Sequence, residues 1–174
     1  FEFVEVADCV KMDFSQHFLF DGILVSGQPG VISGRRKALK TKMRCERAVA
    51  LASGTPFLGE YAVPKRVKVA LMSGESGEDT IQETIRRICK SRGVSPEDLR
   101  GYLDLRFDLP KVGSDADLAK LANAIQHYES QVVMIDPAFL CLTAGAGTVN
   151  SSDLYQMGSL LARLTQLGKD TGST

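Results

Sequence analysis

Val-Ser-Gly-Gln-Pro-Gly-Val-Ile-Ser-Gly-Arg-Arg-Lys-Ala-Leu-Lys-Thr, residues 25–41, governs how everything around it is interpreted. Its first residues close a short apolar run, Gly22-Ile-Leu-Val-Ser26, that reads as a buried strand. Its last residues, Ala38-Leu-Lys-Thr41, open an amphipathic helix. A glycine-rich loop between strand and helix, with a Lys-Thr pair at the helix start, is how a phosphate-binding loop is built. The N–H groups of the first helical turn have no partner inside the helix and point at an incoming anion, and the helix dipole adds favourable potential there. The lysine brings a point charge to the outer phosphates, and the threonine hydroxyl can ligate magnesium.

Two registers compete. From Gly34, the segment Gly34-Arg-Arg-Lys-Ala-Leu-Lys40-Thr41 fits the phosphate-loop pattern except that Leu39 stands where the last glycine belongs. From Gly27, the segment ending at Gly34 opens correctly but has no lysine where one is needed. Only the first supplies both charge and hydroxyl. It makes Gly34, Arg35, Arg36, Lys37, Ala38, Leu39, Lys40, Thr41 and Lys42 the candidate nucleotide-binding set. Leu39 then crowds the phosphate unless its side chain points into the sheet. The plainer alternative is an ordinary strand–helix connection with exposed basic residues. Arg35 and Arg36 also read as solvated loop charges, and Lys37 reads equally well as phosphate contact or solvated charge.

Outward from this stretch, strands and amphipathic helices alternate. Residues 1–20 alternate loosely and read as an edge strand or packing arm, with His17 as a packing or surface residue. The helix over 37–53 turns Leu39, Met43, Val49 and Leu51 inward and Lys42, Arg44, Glu46 and Arg47 largely outward, and Gly54 ends it. A turn follows in which Phe57 and Leu58 pack back on the domain. Residues 66–72 form a strand that runs into Ser73-Gly-Glu-Ser-Gly77. Residues 79–92 form a helix with Ile81, Ile85 and Ile88 on one face. Ser95 and Pro96 start a short helix, and the strict alternation of 102–108 predicts a strand near the sheet edge.

Ser114 caps a helix to about 129 with Leu118, Leu121, Ala122 and Ile125 inward. Residues 131–137 form an apolar strand ending in Asp136. A glycine-rich loop (143–150) and a last helix over 153–167, presenting Leu154, Met157, Leu160, Leu161 and Leu164, complete the chain. The pattern predicts an α/β fold, a mostly parallel sheet with helices on both faces. Ligands of such sheets sit beyond the strand carboxyl ends, where 27–41, 73–77 and Asp136 converge.

The 174 residues suffice for one domain with a sizeable core, and 44% apolar and 24% charged residues are ordinary for a globular protein. Lys+Arg and Asp+Glu balance at 21 each, so no global basic surface advertises nucleic acid. Four widely spaced cysteines without a C-x-x-C pair read as reduced thiols of a cytoplasmic protein. No membrane span or secretory signal is visible. The chain begins without methionine and reads as a piece of a longer protein, 1–174 being a single, truncated domain with 1–20 as its arm.

Nucleoside triphosphate hydrolysis asks for a phosphate cradle, a cation, a metal site and a group that orients water. Lys40 is the cation and Thr41 the magnesium hydroxyl. Asp136, after four apolar residues, has the form of an aspartate that holds magnesium through water, or else caps the next segment. Glu75, after a core strand and Ser-Gly, either orients the attacking water or begins the next helix as a surface carboxylate. Asn150 and Ser151-Ser152-Asp153 read most simply as a helix cap.

The order of these motifs resembles the RecA-like P-loop ATPases, in particular the branch near the RepA-type hexameric replicative helicases, a group often called AAA-family ATPases. The resemblance is carried by residues 34–41, by Leu51-Ala-Ser-Gly-Thr-Pro-Phe-Leu-Gly59, by Val69-Ala-Leu-Met-Ser-Gly-Glu75, by Ile81-Gln-Glu-Thr-Ile-Arg-Arg87 and by Val132-Val-Met-Ile-Asp-Pro137. It spans about 24–167, and the phrase ending at Gly59 is its most specific part. It implies an ATP- and magnesium-dependent ATPase with a RecA-like core that assembles through subunit contacts, with a hexamer and a nucleic-acid partner following by analogy alone. It puts the water-activating glutamate at Glu75 and the metal aspartate at Asp136.

Two features depart from the family: Leu39 in place of glycine, and an end before the strand that carries the family's phosphate-sensing residue. A nucleotide-binding regulatory module with little turnover is the second reading. A small-molecule kinase, the third, would need an acceptor pocket and an arginine-rich lid that the sequence does not display.

Overall fold

The computed structural model describes residues 2–13, 15–35, 37–145 and 154–174, the side chain of Leu154 excepted. In chain order the elements are α1 (Val6–Cys9), β1 (Phe18–Phe20), β2 (Leu24–Val25), α2 (Lys40–Ser53), β3 (Val69–Ser73), α3 (Glu78–Arg92), a 3-10 turn (Pro96–Leu99), β4 (Leu103–Arg106), α4 (Asp115–Tyr128), β5 (Val132–Asp136), α5 (Ala138–Thr143) and α6 (Leu154–Thr171). Three strands form a parallel sheet in the order β4-β3-β5. Val69 stands opposite both Leu103 and Val132, and Ser73 stands opposite Asp136.

Side chains alternate across the sheet, so each strand feeds two cores. Val69, Leu71 and Met134 join the core under α2 and α3, where Val49, Leu51 and Ile81 are buried. Met72, Val133 and Ile135 join a second cluster with Leu121 and Ile125 of α4 and Leu167 of α6. Helices therefore cover both faces, as the alternation of strands and helices predicts. Strictly patterned β4 lies at the edge. At the other side of β5 the sheet continues into the last residue: Thr174 N donates to Gln131 O at 2.9 Å, and Val133 N donates to Thr174 O at 2.8 Å.

Local signals set the boundaries. Gly54 and Gly93 end α2 and α3 in the left-handed conformation. Ser95 and Asp98 form a reciprocal capping box around the 3-10 turn, and Ser114 caps α4. Phe57 packs back as expected, its ring 5.1 Å from Phe20, whereas Leu58 turns to solvent. All four cysteines are free; burial pushes the Cys141 thiol up to about 11 and raises Cys45 and Cys89. Among the described residues no helix is long and apolar enough to cross a membrane.

Several expectations need correction. The apolar run 22–26 is no strand of the parallel sheet: a turn at Gly22, φ +70°, folds Leu24 and Val25 back antiparallel onto β1, and both are only half-buried. Helix α2 starts at Lys40 rather than 37, because Lys37 and Leu39 both have positive φ, 64° and 57°. And α2 has almost no outward face. The sheet lies on one side and α3 on another, so Arg44 is buried and Glu46 and Arg47 are half-buried, whereas Leu39 is exposed. In α6, Leu161 is likewise exposed while Leu160 is buried.

The turn of 54–59 is held by one arginine from α3. Arg92 pairs with Glu46 of α2, and its Nη1 donates to Thr55 Oγ1 at 2.5 Å and to Pro56 O at 2.8 Å. Both members of the ion pair are mostly buried, so removing one leaves the other without compensation. Arg92→Met is expected to lower the unfolding free energy by about 2–3 kcal/mol in urea titration. A loss below about 0.5 kcal/mol, the range of ordinary surface changes, would show that the clamp is dispensable.

Candidate functional site

Glycine, basic residues and a left-handed pair shape the loop before α2. Lys40 Nζ donates to the carbonyls of Gly34 and Arg35, both at 2.8 Å, so the loop curls around its own ammonium. Leu39 occupies the N-cap position of α2 and offers no side-chain cap. The first-turn amides of α2 are thus left without a capping side chain, the condition under which a helix start accepts an anion. Leu39 does not point into the sheet. It lines a groove of about 680 Å³ between α2 and α3, with Met43, Thr80, Glu83 and Ile88. The leucine therefore avoids the loop interior by a route that sequence reading did not consider.

One residue into the helix, Thr41 Oγ1 lies 3.5 Å from Asp136 Oδ2 at the carboxyl end of β5. The same carboxylate oxygen receives Arg44 Nη1 at 2.8 Å. Arg44 is 4% exposed and also reaches Met72 O at 3.3 Å and Ser73 Oγ at 3.4 Å, both on β3. Its Nε is buried without a partner. Ser73 Oγ in turn donates to Ser76 O, and Gly74 N donates to Asp136 O at 2.9 Å. These bonds hold the turn that carries Glu75 against the end of β5. Glu75 itself is exposed and, among the described residues, makes no hydrogen bond or ion pair.

The structure thus brings Lys40, Thr41 and Asp136 to one sheet edge, with Glu75 on the adjoining turn. Arg35, Lys37, Ala38 and Lys42 are exposed on or beside the loop, and Arg36 lies outside the described residues, as does most of the glycine-rich loop with Asn150 and the cap at Ser151, Ser152 and Asp153. The rival register from Gly27 fares differently: Gly27 N is bonded to Thr174 Oγ1 at 2.7 Å. Helical periodicity puts Arg44 largely outward, and the structure buries it instead. The signal that would have found it is spacing: residue 44 is three on from Thr41, and residues three apart share a helix face.

Among the described residues no group of three or more His, Cys, Asp or Glu side chains could hold a metal on its own. What Thr41 and Asp136 offer is a pair of hard oxygens 3.5 Å apart. That donor set suits magnesium, which keeps several waters and takes its remaining ligands from phosphate.

A parallel α/β sheet with helices on both faces, a Lys-Thr loop at a helix start and an aspartate at a neighbouring strand end define a RecA-like P-loop NTPase core. The chain matches the AAA domain family model over residues 3–174 and belongs to that family. Membership brings nucleotide binding of the ATPase type. No curated protein matches the chain significantly.

Leu39 supplies a direct check of the loop's backbone. A side chain at φ 57° costs about 1–2 kcal/mol relative to the right-handed region. Leu39→Gly is expected to keep stability within about 1 kcal/mol of the parent, since glycine relieves strain but loosens the unfolded chain. Leu39→Ile is expected to lose about 1 kcal/mol or more, because a β-branched residue tolerates positive φ poorly. Equal urea midpoints for the isoleucine variant and the parent would mean that residue 39 is not held left-handed.

Proposed function

We propose that this chain binds ATP with magnesium at residues 34–42 and hydrolyses it. The observation that carries the reading is the approach of Thr41 to Asp136, 3.5 Å apart, at the helix start where Lys40 organises the loop. Lys40 exchanges its two loop carbonyls for phosphate oxygens and stabilises the charge that develops on them. Thr41 directly and Asp136 through water would hold the magnesium, which when bound would neutralise the phosphates and polarise the bond to be broken. Glu75 orients the attacking water; its exposure and its lack of a partner among the described residues leave its carboxylate available for that task.

The regulatory reading, nucleotide binding with little turnover, is favoured by a different observation. Leu39 stands at a loop position meant for glycine, and Arg44 already holds Asp136. A helicase-type process, a homo-oligomer of hexameric form and a nucleic-acid partner rest on the resemblance to RepA-type enzymes alone. We take residues 1–174 as one P-loop domain with 1–20 as its arm, working in a cytoplasm that keeps its thiols reduced.

Titration with a fluorescent ATP analogue and a phosphate-release assay separate the two readings. Lys40→Ala is expected to weaken nucleotide binding at least about tenfold. Glu75→Gln is expected to retain binding and lose about a hundredfold or more in turnover. A Glu75→Gln protein that turns over like the parent removes the water-orienting role. A parent that binds ATP yet releases no phosphate with magnesium present is the regulatory module.

A further inference from the structure

The buried guanidinium of Arg44 is a charged group beside Asp136 that the proposed chemistry does not use. It comes from the second turn of α2, behind Thr41, and sits on the carboxylate oxygen that faces the threonine. Its other bonds, to Met72 O and Ser73 Oγ, tie it to β3. The carboxylate is 23% exposed while the guanidinium side chain is 5% exposed, so the cation stands on the protein side of Asp136 and leaves the solvent side open. A dication placed between Thr41 and Asp136 would therefore meet an oxygen already neutralised, with a like charge a few ångströms behind it.

We propose that Arg44 is a positioning residue that acts as a resident counter-cation to Asp136. It fixes the carboxylate against β3 and keeps it a poor metal ligand until phosphate arrives, so that metal binding depends on nucleotide. The inference rests on the assignment of Thr41 and Asp136 as the metal site. Without nucleotide, the pair of Arg44 and Asp136 carries no net charge, and a neutral hydroxyl beside an already paired carboxylate does not hold a strongly hydrated dication. A triphosphate brings several negative charges and further oxygens, and the balance turns in favour of the metal. An arginine serves better than a lysine because its planar fork reaches the carboxylate, a carbonyl and a hydroxyl together. A purely structural tie between α2 and the sheet would affect stability but would leave metal affinity unmoved.

The test is manganese binding to the chain without nucleotide, read from loss of the free-Mn2+ electron paramagnetic resonance signal. Arg44→Met removes the charge at similar volume and is expected to bind Mn2+ about tenfold tighter or more than the parent, given a charge removed at short range in a partly buried site. Adding Asp136→Asn to Arg44→Met is expected to abolish the gain. An unchanged or weaker affinity in a folded Arg44→Met protein overturns the proposal, as does a gain that survives Asp136→Asn. Should the methionine variant fail to fold by circular dichroism, Arg44→Gln removes the charge while keeping a donor for the carbonyl and the hydroxyl. The same gain is expected from it, and no gain overturns the proposal. The ATP assignment is judged separately by analogue titration of the parent: a parent that ignores ATP while Arg44→Met shows the gain sinks the ATP reading and the nucleotide dependence built on it, and leaves Arg44 only as the counter-cation that keeps metal off Asp136.

Discussion

Three chain segments far apart in sequence meet at one guanidinium. Arg44 leaves α2 and bonds to a carboxylate on β5 and to a carbonyl and a hydroxyl on β3. Burying a guanidinium costs several kcal/mol in desolvation, and the cost is recovered only when geometry and hydrogen bonding are both good. Here the recovery is partial, since Nε has no partner. An apolar residue at 44 would not have carried that cost. Retaining a charge at this depth makes the position of α2 relative to the sheet specific: sliding the helix by one turn would strand the guanidinium and the carboxylate together. The placement of Lys40 and Thr41 over the sheet edge follows from that constraint.

Much of the architecture was legible because its signals are local and redundant. The 3.6-residue spacing of Ile81, Ile85 and Ile88 and the glycines at 54 and 93 each mark an element by a mechanism that needs no tertiary contact. So do Ser95 with Pro96 and the two-residue alternation of β4. What misled was the apolar run before the loop. Leu24 and Val25 look like core strand, yet the preceding Asp21 and Gly22 form a turn, and Phe20 claims the buried place instead. A short apolar run says that a segment prefers to be covered. It does not say by which sheet.

The site was legible where a residue type has one job and opaque where geometry chooses among several. A lysine and a threonine at a helix start, and an aspartate closing an apolar strand, are few enough in kind that their convergence followed from topology. Leu39 was readable as an anomaly, but the way out of the crowding was not, because a left-handed φ at a leucine is invisible in a pattern of letters. Arg44 was misread for a related reason. Helical periodicity sorts residues into an inner and an outer face, and α2, covered by the sheet and α3, has little outer face to offer.

The same crowding explains why the turn at 54–59 is built as it is. A helix enclosed on two sides must carry its polar groups inward, and each then needs a dedicated partner. Glu46 receives Arg92, Arg47 lies 5.3 Å over the face of Phe57, and Arg44 takes Asp136. The guanidinium of Arg92 that binds Glu46 also holds Thr55 and Pro56 of the turn after Gly54. That turn sets Phe57 against both Phe20 and Arg47. The segment that carried the strongest family resemblance is thus the far anchor of the helix whose near end shapes the phosphate loop. Its sequence is constrained by the charges of α2.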